Sequence, residues 1–126
     1  MKSPGHQQRP DHKVAEQRVA EKVEAEMAGQ VLADSQDVIQ VAEDGNPARL
    51  YFPRSAVAMD KLEPSITTTR CPFKGTARYF NLKVDGRTLP DAAWSYEEPY
   101  EEHQSLKDRI AFYDDKYKDI HVRTSA

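Results

Sequence analysis

The most concentrated chemistry in the chain lies in one stretch, Thr67-Thr68-Thr69-Arg70-Cys71-Pro72-Phe73-Lys74-Gly75. Three hydroxyls, two cations, a thiol and a turn glycine follow one another. Hydroxyls and turn amides donate to oxyanions, and Arg70 or Lys74 would supply the compensating charge. Such a stretch suits a bound phosphate or carboxylate. It is not a P-loop, because the pattern G-x-x-x-x-G-K-[ST] is absent. The plain structural reading is a strand running into a tight turn with a solvated lysine, and composition alone favours it. Cys71 would become a nucleophile if a neighbouring cation lowered its pKa. A lone cysteine is more commonly a small buried hydrophobe.

Aromatic residues supply the second set of candidates. Trp94 and Tyr96 point the same way on a strand and are able to stack on a ring; Tyr100 follows beside a run of carboxylates. Tyr51, Arg54 and Tyr79 share two readings, ligand wall or core rim. Glu97, Glu98, Glu101 and Glu102 offer an acid–base pair or metal ligands, but a charge run of this kind is commonly a solvated face. His6, His12, His103 and His121 are scattered, and there is no C-x-x-C. Neither a metal nor another cofactor is expected.

These residues need a scaffold, and 126 residues suit one domain with a real core. The single cysteine rules out an internal disulfide. No apolar run approaches the ~20 residues of a membrane span, and the first residues lack a signal-peptide core. A cytoplasmic location without membrane attachment is expected. The net charge of −3 argues against nucleic acid, which needs a broad basic face. Within that total, Arg70, Lys74, Arg78, Lys83 and Arg87 face only Asp85 between Thr67 and Arg87, so one small anion is a suitable partner.

Residues 1–13 mix proline, glycine, glutamine and charge without apolar period and read as a flexible arm. Residues 14–126 read as one β-rich domain. Residues 14–28 fit a helix by propensity and a strand by alternation; the hairpin-like context, with Gly29 as a turn, favours strand. Val38 to Ala42 and Arg49 to Arg54 are strand candidates, with Pro53 limiting the second. Val57 to Glu63 suits a helical turn. Thr67 to Cys71 is extended, Pro72 to Gly75 a turn, and Thr76 to Val84 a strand placing Arg78, Phe80, Leu82 and Val84 on one face. Asp85-Gly86 is a hairpin signal, and Arg87 to Tyr96 the return strand. Glu101 to Lys107 suits a short helix, and Ile110 to Tyr113 and Ile120 to Arg123 are closing strands. Short connections exclude βαβ crossovers. The expected fold is mainly β: a folded-over antiparallel sheet, or a tent- or barrel-like two-sheet domain with one or two short helices.

Five ordered motifs resemble one family: Val31-Leu32-Ala33-Asp34-Ser35; Tyr51-Phe52-Pro53-Arg54; the three threonines with Cys71-Pro72-Phe73-Lys74-Gly75; Ala93-Trp94-Ser95-Tyr96-Glu97; and Ala111-Phe112-Tyr113. Together they are similar to the domain of unknown function 427, which some catalogues file under a nucleotidyltransferase-type heading. The resemblance runs from about Val31 to Val122. It implies a mainly antiparallel β fold related to tent-like zinc and ligand-binding domains. The cysteine pairs of those zinc domains are absent, so the metal does not carry over, and the family brings no catalytic residues.

Three functions follow as expectations. The first is a small-molecule binding module holding an anionic or aromatic ligand through Tyr51, Arg54, Thr67, Thr69, Arg70, Cys71, Lys74, Tyr79, Trp94, Tyr96 and Glu97. The second is an enzyme of phosphoryl or nucleotidyl transfer, whose Mg²⁺ would need carboxylates such as Asp60, Glu63, Asp91 or Glu97. The third is an accessory interaction domain presenting the acidic segment Glu97 to Glu102.

Overall fold

Alternation of apolar and polar residues dominates the chain, and the computed structural model, which describes residues 1–124, turns it into ten strands. A first antiparallel sheet holds β1 (Val14–Val19), β4 (Val38–Glu43) and β5 (Arg49–Tyr51), in the order β1-β4-β5. A second holds β2 (Val23–Met27), β3 (Gln30–Ser35) and β10 (His121–Thr124), in the order β10-β2-β3. The third is the meander β6 (Leu62–Cys71), β7 (Gly75–Val84), β8 (Arg87–Ser95) and β9 (Ile110–Phe112). The architecture is mainly β and antiparallel, as expected, with three sheets rather than one folded sheet or two, and no closed barrel.

The extra sheet comes from residues 14–28. They form strands, but two of them, and each pairs elsewhere: β1 with β4, β2 with β3 and β10. Val23, Ala25 and Met27 are wholly buried with half-buried residues between them, the period of a strand and not of a helix. The sheets are tied by reciprocal bonds between Phe52 and Ile110 (2.8 and 2.9 Å) and by the Ala58 N–H on the Leu32 carbonyl (2.8 Å).

Two cores result. Val23, Met27, Leu32, Phe80, Leu82, Ile110 and Phe112 belong to the larger one. Ile39, Val41, Tyr51, Ala77, Trp94, Tyr96, Leu106 and Ala111 form the smaller. Each large buried side chain contributes roughly 1.5–3 kcal/mol. β7 serves both: Phe80, Leu82 and Val84 enter the larger core, Ala77 the smaller. Arg78, expected beside Phe80, is exposed because the larger core ends before it.

Two irregularities shape the third sheet. On β6, Pro64 to Thr68 spans only Phe80 to Arg78 of β7, so the chain bulges at Ser65–Thr67 and leaves Ile66 fully exposed. On β8, Asp91 takes a positive φ of 51° and its N–H donates to Asn81 Oδ1 (3.0 Å). The Thr67 hydroxyl donates to Asp91 Oδ2 (2.8 Å), joining the two bulges.

Among the described residues, helical structure is limited to α1 (Pro4–Gln8) and 3₁₀ turns at Arg54–Ala56, Met59–Lys61 and Glu101–Leu106. The structure places residues 1–13 against the body, not away from it. Ser3 is wholly buried; its hydroxyl donates to the Pro72 carbonyl (2.6 Å) and accepts the His6 N–H (3.2 Å). Its N–H donates to the Glu102 carboxylate (2.9 Å), and the Gly5 N–H to the Pro72 carbonyl (2.8 Å). Composition carries no sign of these contacts, because they are polar and capping, not apolar. No helix among the described residues is long and apolar enough to cross a membrane.

Candidate functional site

Lys74 is the anomaly from which the site is built: an ammonium side chain in a residue only 7% exposed. The turn that carries it lies flat on the 98–100 segment, where the Lys74 carbonyl accepts the Tyr100 N–H (3.0 Å). Gly75 permits this approach. Its φ is +123°, and a Cβ there would lie 3.3 Å from the Glu98 carbonyl oxygen. Lys74 Nζ donates to Glu43 Oε1 at 2.5 Å and sits 5.8 Å from the Tyr96 ring centroid. Glu43 comes from the end of β4, and its second oxygen meets His12 Nε2 at 3.1 Å. Burial alone would raise the Glu43 carboxyl, but the Lys74 ammonium and the His12 ring outweigh it and hold the group below the usual carboxylate range.

Around this pair opens a cavity of about 130 Å³ walled by Tyr51, Tyr79, Trp94, Tyr96 and Tyr113. The Trp94 indole N–H donates to the Tyr51 hydroxyl (3.1 Å). The Tyr96 hydroxyl takes part in none of the hydrogen bonds between described residues, and it is not sealed from the cavity as the unpartnered Asp91 Oδ1 is from solvent. Burial pushes both phenols well above their ordinary range, so they stay protonated and able to donate. Arg49 closes one side. Its guanidinium lies 5.2 Å from the centroids of both Trp94 and Tyr113 and forks onto Asp115 (2.7 and 3.3 Å). Burial disfavours the Arg49 charge, but Asp115 outweighs it, and Asp115 in turn is held below its usual range by Arg49. The cavity therefore holds two cations, each with its own carboxylate.

Of the residues singled out from sequence, Tyr51, Lys74, Tyr79, Trp94 and Tyr96 meet here. Cys71 is half-buried and packs against the same core without lining the cavity. Arg54 and Glu97 lie elsewhere, in a groove of about 480 Å³ that also holds Met59, Leu62 and Phe80. There Arg54 donates to the Asp108 carbonyl (2.8 Å), Ser95 Oγ (2.9 Å) and Glu97 (3.4 Å), and Arg78 also contacts Glu97 (3.3 Å). Thr67 bonds Asp91, Thr69 bonds the Tyr79 hydroxyl (3.1 Å), and Arg70 is exposed with no ion-pair partner among the described residues. Thr67, Thr69 and Arg70 are thus not brought to one shared cradle: the bulge at Ser65–Thr67 turns Thr67 to Asp91, and Thr69 and Arg70, adjacent on the strand, face opposite ways.

Apart from Arg70, the cationic stretch is also neutralised: Lys83 pairs with Glu63 and Arg87 with Asp119 (2.7 Å). The acidic run is used internally, Glu97 by two arginines and Glu102 by the Ser3 N–H. No three His, Cys, Asp or Glu side chains converge as a metal site among the described residues.

Sequence reasoning passes over Glu43, Arg49 and Tyr113. A signal for Glu43 exists: it shares a strand face with Ile39 and Val41, both buried. A carboxylate continuing an apolar face requires a cationic partner. Arg49 likewise shares a face with buried Tyr51. Tyr113 lies beyond β9 and carries no such mark.

No curated protein matches the chain. A family model described as a domain of unknown function (DUF427), and named NTP_transf_9, matches residues 15–123, and the chain belongs to that family.

Proposed function

We propose that the protein is a binding module for one small planar molecule carrying an acceptor oxygen, seated in the Lys74 cavity. The observation that carries this reading is the buried ammonium facing a wall of aromatic rings, with the Tyr96 hydroxyl unclaimed. Size narrows the ligand. An apolar cavity of about 150 Å³ takes one benzene, so about 130 Å³ suits a single ring or a short planar acid. Nucleotides need the roughly 300–1,000 Å³ of ordinary ligand sites. Charge narrows it further. Glu43 already neutralises Lys74 and Asp115 neutralises Arg49, so a carbonyl or phenol fits without displacing a carboxylate, whereas a full anion competes with Glu43.

The transfer reading suggested by the family heading is weaker. The 480 Å³ groove has the room, but the carboxylate lining it, Glu97, is clasped by Arg54 and Arg78 and is not free for Mg²⁺. A thermal-shift and NMR screen with single-ring phenols, aldehydes and carboxylic acids tests the proposal. Saturation at 100 times Kd should add about 2.7 kcal/mol of stability, with the Trp94 indole N–H resonance moving in step. A library that moves neither overturns the reading.

A further inference from the structure

The N-terminal segment is fastened to the body by histidines whose contacts tolerate a fixed number of protons. His6 Nε2 lies 2.9 Å from His103 Nε2, and His103 Nδ1 lies 2.5 Å from Glu16 Oε2. A carboxylate only accepts, so His103 Nδ1 carries its hydrogen. One hydrogen must then sit between the two Nε2 atoms. That condition is met when both rings are neutral and His6 donates, and again when the rings share one extra proton. It fails when both rings are cations, because two N–H groups then meet head to head. His103 is buried at 3% exposure, so water does not relieve that clash.

The surroundings fit a single shared charge. Glu16 faces His103 and accepts a further hydrogen bond from the Ser105 hydroxyl. Glu102 lies close enough to feel both rings, and burial, which would raise its carboxyl, is outweighed by the Ser3 N–H and these histidines. His6 otherwise meets the edge of the Phe73 ring (5.0 Å). His12 stacks on Phe73 (4.2 Å) and contacts Glu43, the carboxylate that holds Lys74 in the cavity.

We propose that residues 1–13 form a strap latched over the Phe73 turn, that a second proton on the His6–His103 pair releases it, and that release removes one of the two partners holding Glu43 in the cavity. Release itself needs no ligand; only its effect on binding rests on the cavity being the ligand site.

The sign follows from proton counting. Detached, each ring is free to take its own proton; latched, the Nε2–Nε2 contact has room for one hydrogen between the two rings. The latched state accommodates one proton fewer, so latching weakens as pH falls, by about tenfold per pH unit. The His12–Glu43 contact has the opposite sign, since a charged His12 ring binds Glu43 better. The two histidine contacts thus oppose each other, and the His6–His103 pair sets the decline on the acid side.

Amide exchange of the Gly5 N–H, normalised to its intrinsic rate, measures the latch, because that group donates to the Pro72 carbonyl. Its protection should fall about tenfold per unit between pH 5.5 and 4.5, while the Ile110 amide, bonded to Phe52 in the body, keeps its protection. In His6→Gln, whose side-chain amide donates one hydrogen and takes no second proton, the Gly5 slope should flatten. If that variant fails to latch at any pH, His12→Gln keeps the histidine pair and should retain the wild-type acid slope. Flat wild-type protection, loss in parallel with Ile110, an unchanged slope in a latched His6→Gln, or a flattened one in His12→Gln each overturns the proposal. A Trp94 indole resonance that stays still through release overturns the link to the cavity.

Discussion

Replacing Lys74 with methionine keeps most of the side-chain volume and removes the charge that faces Glu43. The two side chains are 9% and 13% exposed and 2.5 Å apart, so the carboxylate left behind is largely cut off from water. Breaking a buried pair by deleting one partner costs about 3–5 kcal/mol. His12 remains at 3.1 Å from Glu43 and offsets part of that. An expected loss of about 3 kcal/mol at pH 7 corresponds to a fall of roughly 10 °C in Tm for a chain of this size.

The pH dependence separates this cause from simple loss of packing. In the wild type the Glu43 carboxyl is held below its ordinary value of 4.5, so its contribution is complete above that value and is lost as pH falls through the lower folded-state value. Without Lys74 the opposing effect of burial prevails, and the carboxyl takes up a proton at higher pH. The deficit of Lys74→Met should therefore be largest near pH 7 and shrink towards pH 4. Adding Glu43→Gln should recover at least about 1 kcal/mol, a coupling measurable by urea denaturation of the four variants. A deficit under about 0.5 kcal/mol at pH 7, or one that does not change with pH, refutes the reasoning.

Three further outcomes are expected. Tyr96→Phe removes a hydroxyl without a protein partner, so stability should change by less than about 0.5 kcal/mol, while NMR titration should show single-ring acceptor ligands binding about tenfold more weakly. Gly75→Ala forces a side chain onto a φ of +123° and against the Glu98 carbonyl, and should cost about 1–3 kcal/mol by denaturant titration, with the Trp94 indole signal displaced. Gly5→Ala places a Cβ 2.7 Å from the Pro72 carbonyl oxygen and 2.8 Å from Phe73 Cδ1; amide exchange should show residues 1–13 detached, while the global unfolding midpoint shifts by no more than about 1 kcal/mol.

Local signals read well in this chain because strand period and turn chemistry are written within a few residues. Asp85 and Gly86 both take positive φ (51° and 76°), as the hairpin they announce requires. β7 and β8 run on either side within a residue of the expected bounds. Pairing choices are non-local and leave no such mark. Nothing in Val23–Met27 says that its outer partner is His121–Thr124, nearly a hundred residues later, and that choice separates the second sheet from the first. The site divides along the same line. Trp94 and Tyr96 are two apart on one strand and were bound to share a face; whether Lys74 would reach them depended on Gly75 and on a segment 24 residues away. Arg54 and Glu97 meet each other, but in the separate groove.

Ile66 and the bulge beneath it bear on how molecules of this protein behave at high concentration. β6 ends its sheet, so among the described residues no strand lies beside its outer backbone groups. A long flat margin of that kind templates fibrous stacking of one copy on the next. Pro64 lacks a donor and Ser65–Thr67 bows out of line, so the margin is broken into two short regular pieces, Leu62 to Pro64 and Thr68 to Cys71. An incoming chain would find a kinked border with one isoleucine standing clear of it. The irregularity that spoils the pairing of β6 with β7 thus also makes this margin a poor template for a second copy.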